Sequence, residues 1–539
     1  MNLRAISLVA LPVIALLVYF GCSPDGEGVS HRDVEAAVVV RRGNGGEPDS
    51  LDPAHAEGVH AFSILTDLYE GLLALDADGE IVPGVAESWA VSSDGLRYTF
   101  KLREGTRWSD GSPVIAEHFV AGMRRTLSPE TASAYAVLLY PIDNAQAVAQ
   151  GELPASALGV EANGERTLVI RLHMPAPYLP SLLTMPIAFP FLDDGGGTEG
   201  RFANPSRFVG NGPFLLAEWE PGGHIQLRKN PLFREADQVA VDEVRYYPVT
   251  EPMTELNMYR AGELDITFAV PGSHVQQLRE THADDLRISP YLALYYLAFD
   301  LSEAPFDNAT LRQALSMAID RDVLVRVTGR GEQPAYGLIP DGVNDYVPAR
   351  FGWRAEPSEA RLAKARELYA QAGYSEAEPL QLTLLYDAAD IHETIALAVS
   401  EMWRKHLGVD VRLDKREWKY FLSTRENRDE WQVMRFAWTG DFDHPATFAD
   451  IFRSVSPQNL PGYASVRYDR LLAEAEATVD VAAQMRLYAA AEAVLLEDSP
   501  IAPLYFYVSK HLVSPAIAGF ENNVFDRHPS RYLRKRQER

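Results

Sequence analysis

The sequence predicts an α/β protein built from two or three lobes. Strand-like and helical patterns alternate along the chain, and helical periodicity is clearest at Ser358–Ala372, Asp390–His406 and Arg467–Glu497. The 539 residues exceed the size at which one hydrophobic core stops growing. A hydrophobic content of 47% is enough to give each lobe its own core.

Charge and cysteine content exclude several classes of function. The 50 basic and 75 acidic residues give a formal net charge of −25, which argues against a nucleic-acid partner. The single cysteine, Cys22, allows no internal disulfide and no cysteine-based metal site. No nucleophile elbow, phosphate loop or paired-histidine zinc helix is present, so we expect no enzyme, no cofactor and no metal. The basic segment Arg531–Arg539 predicts a solvated tail.

The N-terminus has the layout of a secretory signal. Residues 1–22 combine a basic start with the apolar run Ile6–Phe20 and then Gly21 and Cys22. A lone cysteine directly after the apolar run resembles a bacterial lipoprotein site, in which the thiol is lipidated. The two aromatic residues before Gly21 depart from that signal and leave an uncleaved anchor as the alternative. Residues 23–35 are polar and rich in glycine, and predict a flexible tether.

One run of β-forming residues, Gln432–Asp441, carries a cation, an indole and a carboxylate. In an extended chain Arg435 and Asp441 share one face and Trp438 points to the other, and a loop could gather all three. Opposite charges at the two ends suit a zwitterion such as a short peptide. The edge of Phe436–Gly440 could pair with the backbone of that ligand. Taken by itself, the run fits an ion-paired surface strand better than a binding site.

Short motifs follow one another in a fixed order across the mature chain. They begin with Pro48-Asp-Ser-Leu-Asp-Pro53 and Leu68-Tyr-Glu-Gly-Leu-Leu73, continue through a hairpin-like segment from Val82 to Gly111, and end with Tyr505-Phe-Tyr507. Each motif alone fits a turn, a helix cap or a core aromatic. Their joint order resembles the bacterial oligopeptide-binding proteins of ABC peptide importers, which form solute-binding protein family 5.

The resemblance implies a periplasmic-binding-protein-like fold with two main lobes and an additional domain, the three-domain type called cluster C. It places domain I at 36–69, 195–296 and 509–539. Domain II is then expected at 70–194 and domain III at 297–508.

The resemblance also implies a peptide held between the lobes as a third strand. Asp441 matches the family's amine-binding aspartate, Arg435 its carboxylate-binding arginine, and Trp438 the tryptophan between them. Ala437–Thr439 matches the segment that pairs with the peptide backbone on one side, and Glu57–Val59 the segment on the other.

Further residues match positions that line the family's cleft. His392 and Arg425 match cations that receive peptides of different lengths, and Tyr135, Trp418 and Tyr507 match cleft aromatics. His392 fits a helix-surface histidine equally, and each aromatic fits a core position.

The implied function is an exported, monomeric receptor that captures short peptides and delivers them to an ABC transporter permease. Its expected location is the periplasm, with a membrane tether through Cys22. Other solutes of the same family remain alternatives, namely murein peptide, dipeptide or a nickel chelate. A periplasmic hydrolase is the alternative from another class.

Overall fold

The computed structural model describes residues 37–193, 195, 197–343, 346–425 and 430–536. Residues Val38–Arg539 form one unit by their contacts. The predicted signal and tether, including Cys22, lie outside the described residues. No helix in the described ranges combines the length and the apolarity needed to cross a membrane.

Strands and helices alternate along the described chain. The strands are β1 Val39–Gly43, β2 Leu73–Leu75, β3 Ile81–Pro83, β4 Ala86–Val91, β5 Arg97–Leu102, β6 Val160–Ala162, β7 Thr167–Arg171, β8 Phe214–Glu220, β9 His224–Lys229, β10 Glu243–Tyr247, β11 Leu286–Phe299, β12 Gln333–Pro334, β13 Gln381–Asp387, β14 Asp410–Arg416, β15 Val433–Thr439, β16 Ile501–Leu512, β17 Ile517–Ala518 and β18 Arg534–Lys535. The α-helices are α1 Gly58–Leu68, α2 Ala116–Thr126, α3 Ala145–Ala149, α4 Leu179–Leu182, α5 Pro252–Arg260, α6 Val275–Thr281, α7 Ala309–Met317, α8 Arg321–Thr328, α9 Ser358–Gln371, α10 Asp390–Leu407, α11 Trp418–Arg425, α12 Ala446–Ala449, α13 Val466–Glu476 and α14 Val481–Asp498.

Most strands belong to three sheets, and each sheet draws mainly on one predicted domain. The strand orders are β1-β10-β9-β8, β4-β5-β7-β6 and β12-β16-β11-β15-β13-β14. The long strands β11 and β16 pair with each other and cross the expected boundaries between domains I and III. The predicted α/β class is confirmed, and the domain boundaries remain a prediction.

The six-stranded sheet is buried on both faces at its centre. Tyr295, Leu297 and Phe299 of β11 pack into one hydrophobic cluster with helices α7, α9 and α10. The intervening Leu294, Tyr296 and Ala298 pack into a different cluster on the opposite face. Because side chains alternate along a strand, two apolar faces require the continuous apolar run seen in β11. This rigid centre carries β15.

The helical predictions hold with one correction. The periodic segments at Ser358 and Asp390 form α9 and α10. The single helix predicted at Arg467–Glu497 is wrong, because two helices, α13 and α14, form there with a break between them. The break forms because the Asp480 carboxylate accepts a hydrogen bond from the Ala483 N–H and so caps a new helix start.

The prediction of a solvated basic tail is wrong for Arg531, whereas Arg534 and Arg536 are exposed. The Arg531 guanidinium donates to the Glu70 carboxylate at 2.7 Å, and Arg234 donates to the same carboxylate. The following strand β18 pairs with β17. Because Glu70 is buried, its charge needs cationic partners, and the C-terminal segment supplies one of them.

Candidate functional site

Strand β15 lies inside the six-stranded sheet but leaves part of one edge free. Its ladder with β11 runs from Val433 to Thr439, whereas its ladder with β13 covers only Val433 and Met434. From Phe436 to Thr439 the edge that faces away from β11 therefore has no ladder partner within the described chain. Ala437–Thr439 has the open backbone groups that the sequence predicts.

The C-terminal end of β15 opens on a cavity of about 420 Å³. Predicted domain II contributes Tyr135 and Tyr178 to its lining, and predicted domain III contributes Trp438 and Asp441. Thr447 fixes the geometry of this end. Its backbone carbonyl accepts from the Trp438 indole at 2.6 Å, and its hydroxyl accepts from the Asp441 N–H at 2.9 Å.

The Asp441 carboxylate makes no hydrogen bond or ion pair with any other described residue. Burial raises its pKa to about 6, and the Arg527 guanidinium opposes that rise. The pKa of the Tyr135 hydroxyl is raised too, first by burial and then by the charge of Asp441, which places the two groups close together. A desolvated carboxylate that makes no direct ion pair within the described structure, beside aromatic rings, favours a cationic ligand group.

The other end of β15 is different, because Arg435 already has an anionic partner. Its Nε and Nη2 both donate to Oδ1 of Asp387, the last residue of β13, and both side chains are buried. The guanidinium also lies 5.0 Å from the centroid of the Phe421 ring and 5.7 Å from that of Trp418, which is half exposed. The sequence reasoning missed Asp387. An aspartate that ends an apolar strand beside a strand carrying an arginine is the signal that could have found it.

His392 and Tyr507 belong to the same cluster as Arg435. The His392 Nδ1 lies 3.1 Å from the Tyr295 hydroxyl, and its Nε2 lies 3.7 Å from the Asp387 carboxylate. Burial, and then the charge of Arg435, lower the pKa of His392 to about 4, so the ring is neutral at pH 7. Tyr507 lies against Tyr295 with ring centroids 6.4 Å apart. The structure thus gathers four of the predicted residues: Arg435, His392, Trp418 and Tyr507.

Two predicted parts of the site do not join these clusters: one segment forms a helix start, and one side chain lies outside the described residues. Glu57 precedes α1, and Gly58 and Val59 lie in its first turn, so this segment is a helix start and not a second strand edge. The Glu57 N–H is engaged by the Asp49 carboxylate at 3.0 Å. Arg425 ends α11, and its side chain lies outside the described residues.

An α/β scaffold with an open strand edge over a cavity shared by two predicted domains is the arrangement of a ligand-binding protein. The chain belongs to the bacterial extracellular solute-binding proteins, family 5, whose middle-region model matches residues 80–459. It is 37% identical over 533 residues to the periplasmic oligopeptide-binding protein OppA of Escherichia coli, which covers 96% of both chains.

Solved structures agree with this assignment. The unliganded open form of the periplasmic murein tripeptide-binding protein MppA superposes with a TM-score of 0.85 at 34% identity, covering 93% of this chain and 98% of that one. Haemophilus influenzae OppA in complex with the peptide RPPGFSPFR superposes with a TM-score of 0.74 at 31% identity, covering 93% and 100%. The predicted family and the predicted fold are both confirmed.

Proposed function

We propose that this chain is a receptor that captures oligopeptides outside the cytoplasm and delivers them to the permease of an ABC transporter. The Asp441 carboxylate carries the proposal, because it is desolvated, lacks a partner in the described structure and adjoins the free edge of β15. A peptide's α-ammonium would neutralise Asp441 while its backbone pairs with Ala437–Thr439. Such pairing uses main-chain groups and therefore accepts many side chains.

The relatives support the same ligand class, since their names specify oligopeptides and murein tripeptide. Closure around a ligand is characteristic of periplasmic binding proteins. A peptide that contacts both lobes binds the closed form better and so shifts the equilibrium toward it.

Mass spectrometry of ligands released from the purified chain tests this function. We expect peptides of mixed sequence, and we expect added tripeptide to bind in calorimetry and to remain uncut. If the released ligand is a nickel chelate or another non-peptide solute, and tripeptides give no heat of binding, the proposal is wrong. Cleavage of the added tripeptide would instead favour the periplasmic hydrolase.

Membrane attachment through Cys22 belongs to the same proposal. A lipidated cysteine followed by the 23–35 tether would hold a monomeric receptor beside its permease in the periplasm while leaving the lobes free to close. Cys22→Ser separates lipidation from an uncleaved anchor. We expect the variant to lose the mass of the lipid. If wild type and variant both partition to membranes with identical unlipidated mass, the apolar run is itself the anchor.

A further inference from the structure

The cation expected to hold the ligand's carboxylate is neutralised inside the protein. The guanidinium of Arg435 donates through Nε and Nη2 to the same oxygen of Asp387. The two side chains are only 10% and 9% exposed, so water screens the pair weakly. Asp441, two residues past the C-terminal end of β15, has no such partner among the described residues.

A ligand carboxylate at Arg435 would meet one of two obstacles. If Asp387 stayed in place, two carboxylates would share one guanidinium and repel each other. If the ligand displaced Asp387, the protein would be left with a buried carboxylate without a counter-ion, which is strongly unfavourable. Either outcome cancels much of the attraction between Arg435 and the incoming carboxylate.

Two of the three surrounding basic side chains in the described structure, His392 and Lys510, do not restore a positive site at Arg435. His392 is neutral at pH 7, because burial and the charge of Arg435 keep its pKa near about 4. Lys510 is paired with Glu332 at 3.3 Å. The charge of Arg330 also lowers the pKa of His392, so Arg330 is a second cation near this cluster. Its attraction for a ligand carboxylate must be the same in every protein that is compared. The rings of Trp418, Phe421 and Tyr507 complete an environment that suits a neutral group.

We propose that Asp387 determines specificity by blocking Arg435 as a carboxylate anchor, so that this receptor selects peptides by their amino end and accepts a neutral group at the Arg435 end. This inference rests on the proposed peptide-binding function and narrows its ligand class. The favoured ligands are peptides whose chain continues past Arg435 or whose carboxyl end is blocked. A free C-terminal carboxylate gains little there.

The test compares one tripeptide as the free acid and as the C-terminal amide, both with a free amino group, by titration calorimetry. Wild type is measured beside Asp387→Asn, which removes one charge, keeps the side-chain shape and retains an oxygen that accepts from Arg435. The matched control is Asp414→Asn, because Asp414 accepts from Arg416 at 3.0 Å on the neighbouring strand β14, outside the candidate site. Arg330 is unchanged in all three proteins.

We expect wild type and Asp414→Asn to bind the acid and the amide within about threefold of each other. Asp387→Asn should bind the acid at least about tenfold more tightly than the amide, because a charge-assisted hydrogen bond to Arg435 becomes available. The wild-type ratio needs no variant and can by itself contradict the inference, even if Asp387→Asn folds poorly. A wild-type preference for the acid of about tenfold or more overturns the inference alone, as does an equal ratio in wild type and Asp387→Asn. Failure of both peptides to bind any of the three proteins overturns the proposed function and this inference with it.

Discussion

The two ends of strand β15 handle their charges in opposite ways. At one end the Asp441 carboxylate is desolvated, has a raised pKa and makes no ion pair within the described chain. At the other end Arg435 is buried and paired with Asp387. Arg435 lies within β15 and Asp441 lies two residues past its last residue, so both charges belong to one short segment and the difference comes from their neighbours.

This difference in pairing assigns the two charges different roles, one in ligand binding and the other in the stability of the fold. An unpaired buried charge is unfavourable in the free protein, and a ligand of opposite charge removes that cost. A paired buried charge is already satisfied, so it contributes to the integrity of the fold and offers little to a charged ligand. Asp441 should therefore matter mainly for affinity, and Asp387 mainly for stability and selectivity.

The largest expected effect is loss of stability when the Arg435 pair is broken. Asp387→Ala should lower the free energy of unfolding of the ligand-free protein by about 3 to 5 kcal/mol, because it leaves Arg435 buried without its counter-ion. Urea unfolding followed by circular dichroism measures this. Glu401→Ala is the control, since its pair with Arg404 on α10 is exposed and should contribute less than about 1 kcal/mol. Equal losses in the two variants would show that the Arg435 pair is not a stabilising element.

The next effect is on affinity at the other end. Asp441→Asn should weaken tripeptide binding by about 2 to 4 kcal/mol, because a buried ammonium would face a neutral partner. N-acetylation of the peptide should weaken binding to wild type by a similar amount. Titration calorimetry checks both, with Asp410→Asn on the exposed start of β14 as the control. If acetylated and free peptides bind wild type equally well, Asp441 does not receive the amine.

The pH dependence of binding should be smaller and should follow Asp441. Its pKa of about 6 in the free receptor means that it takes up a proton as the pH falls, whereas the ligand ammonium stays charged. Because the ammonium binds only the ionised carboxylate well, affinity should fall about tenfold from pH 7 to pH 5. In Asp441→Asn this slope should disappear. A slope of the same size in the variant would assign the titration to another group.

The smallest effect has the opposite sign. The folded-state pKa of Asp441 is raised above the value of an unfolded aspartate, so its stabilising contribution is complete below about pH 4 and is lost as the pH rises through about 6. Asp441→Asn should therefore unfold with a free energy about 1 kcal/mol higher than wild type at pH 7.5, with little difference below pH 4; this is less than the roughly 3 kcal/mol of full linkage, because Asp441 lines a cavity where water screens its charge. Thermal or urea unfolding at both pH values measures it. A destabilised variant at pH 7.5 would mean that Asp441 has an internal partner in solution.

The sequence predicted what depends on local pattern. The α/β class, α9 and α10 follow from periodicity. The spacing in Gln432–Asp441 predicts Arg435 and Trp438 on different faces of one strand. In the structure Arg435 pairs with Leu297 of β11 and Trp438 with Leu294. The break before α14 was missed because the helical period continues across it, although Ala477 ends α13 and the Asp480 side chain caps the start of α14.

Contacts between distant segments could not be predicted in the same way. Asp387 lies 48 residues from Arg435 and meets it only because β13 and β15 are parallel neighbours in the sheet. Arg531 likewise meets Glu70 across 461 residues. Pattern analysis of either segment alone shows a charged residue that fits the surface, and only the strand order or the final packing shows that it is buried and paired.

The most direct test of the unequal ends of β15 is a crystal structure of this protein with a bound free-acid tripeptide. The account predicts that the ligand's ammonium nitrogen lies about 2.7 to 3.0 Å from the Asp441 carboxylate, while Arg435 remains on Asp387. A ligand carboxylate bound directly to Arg435, with Asp387 displaced and Asp441 left without contact to the ligand's amine, would contradict it.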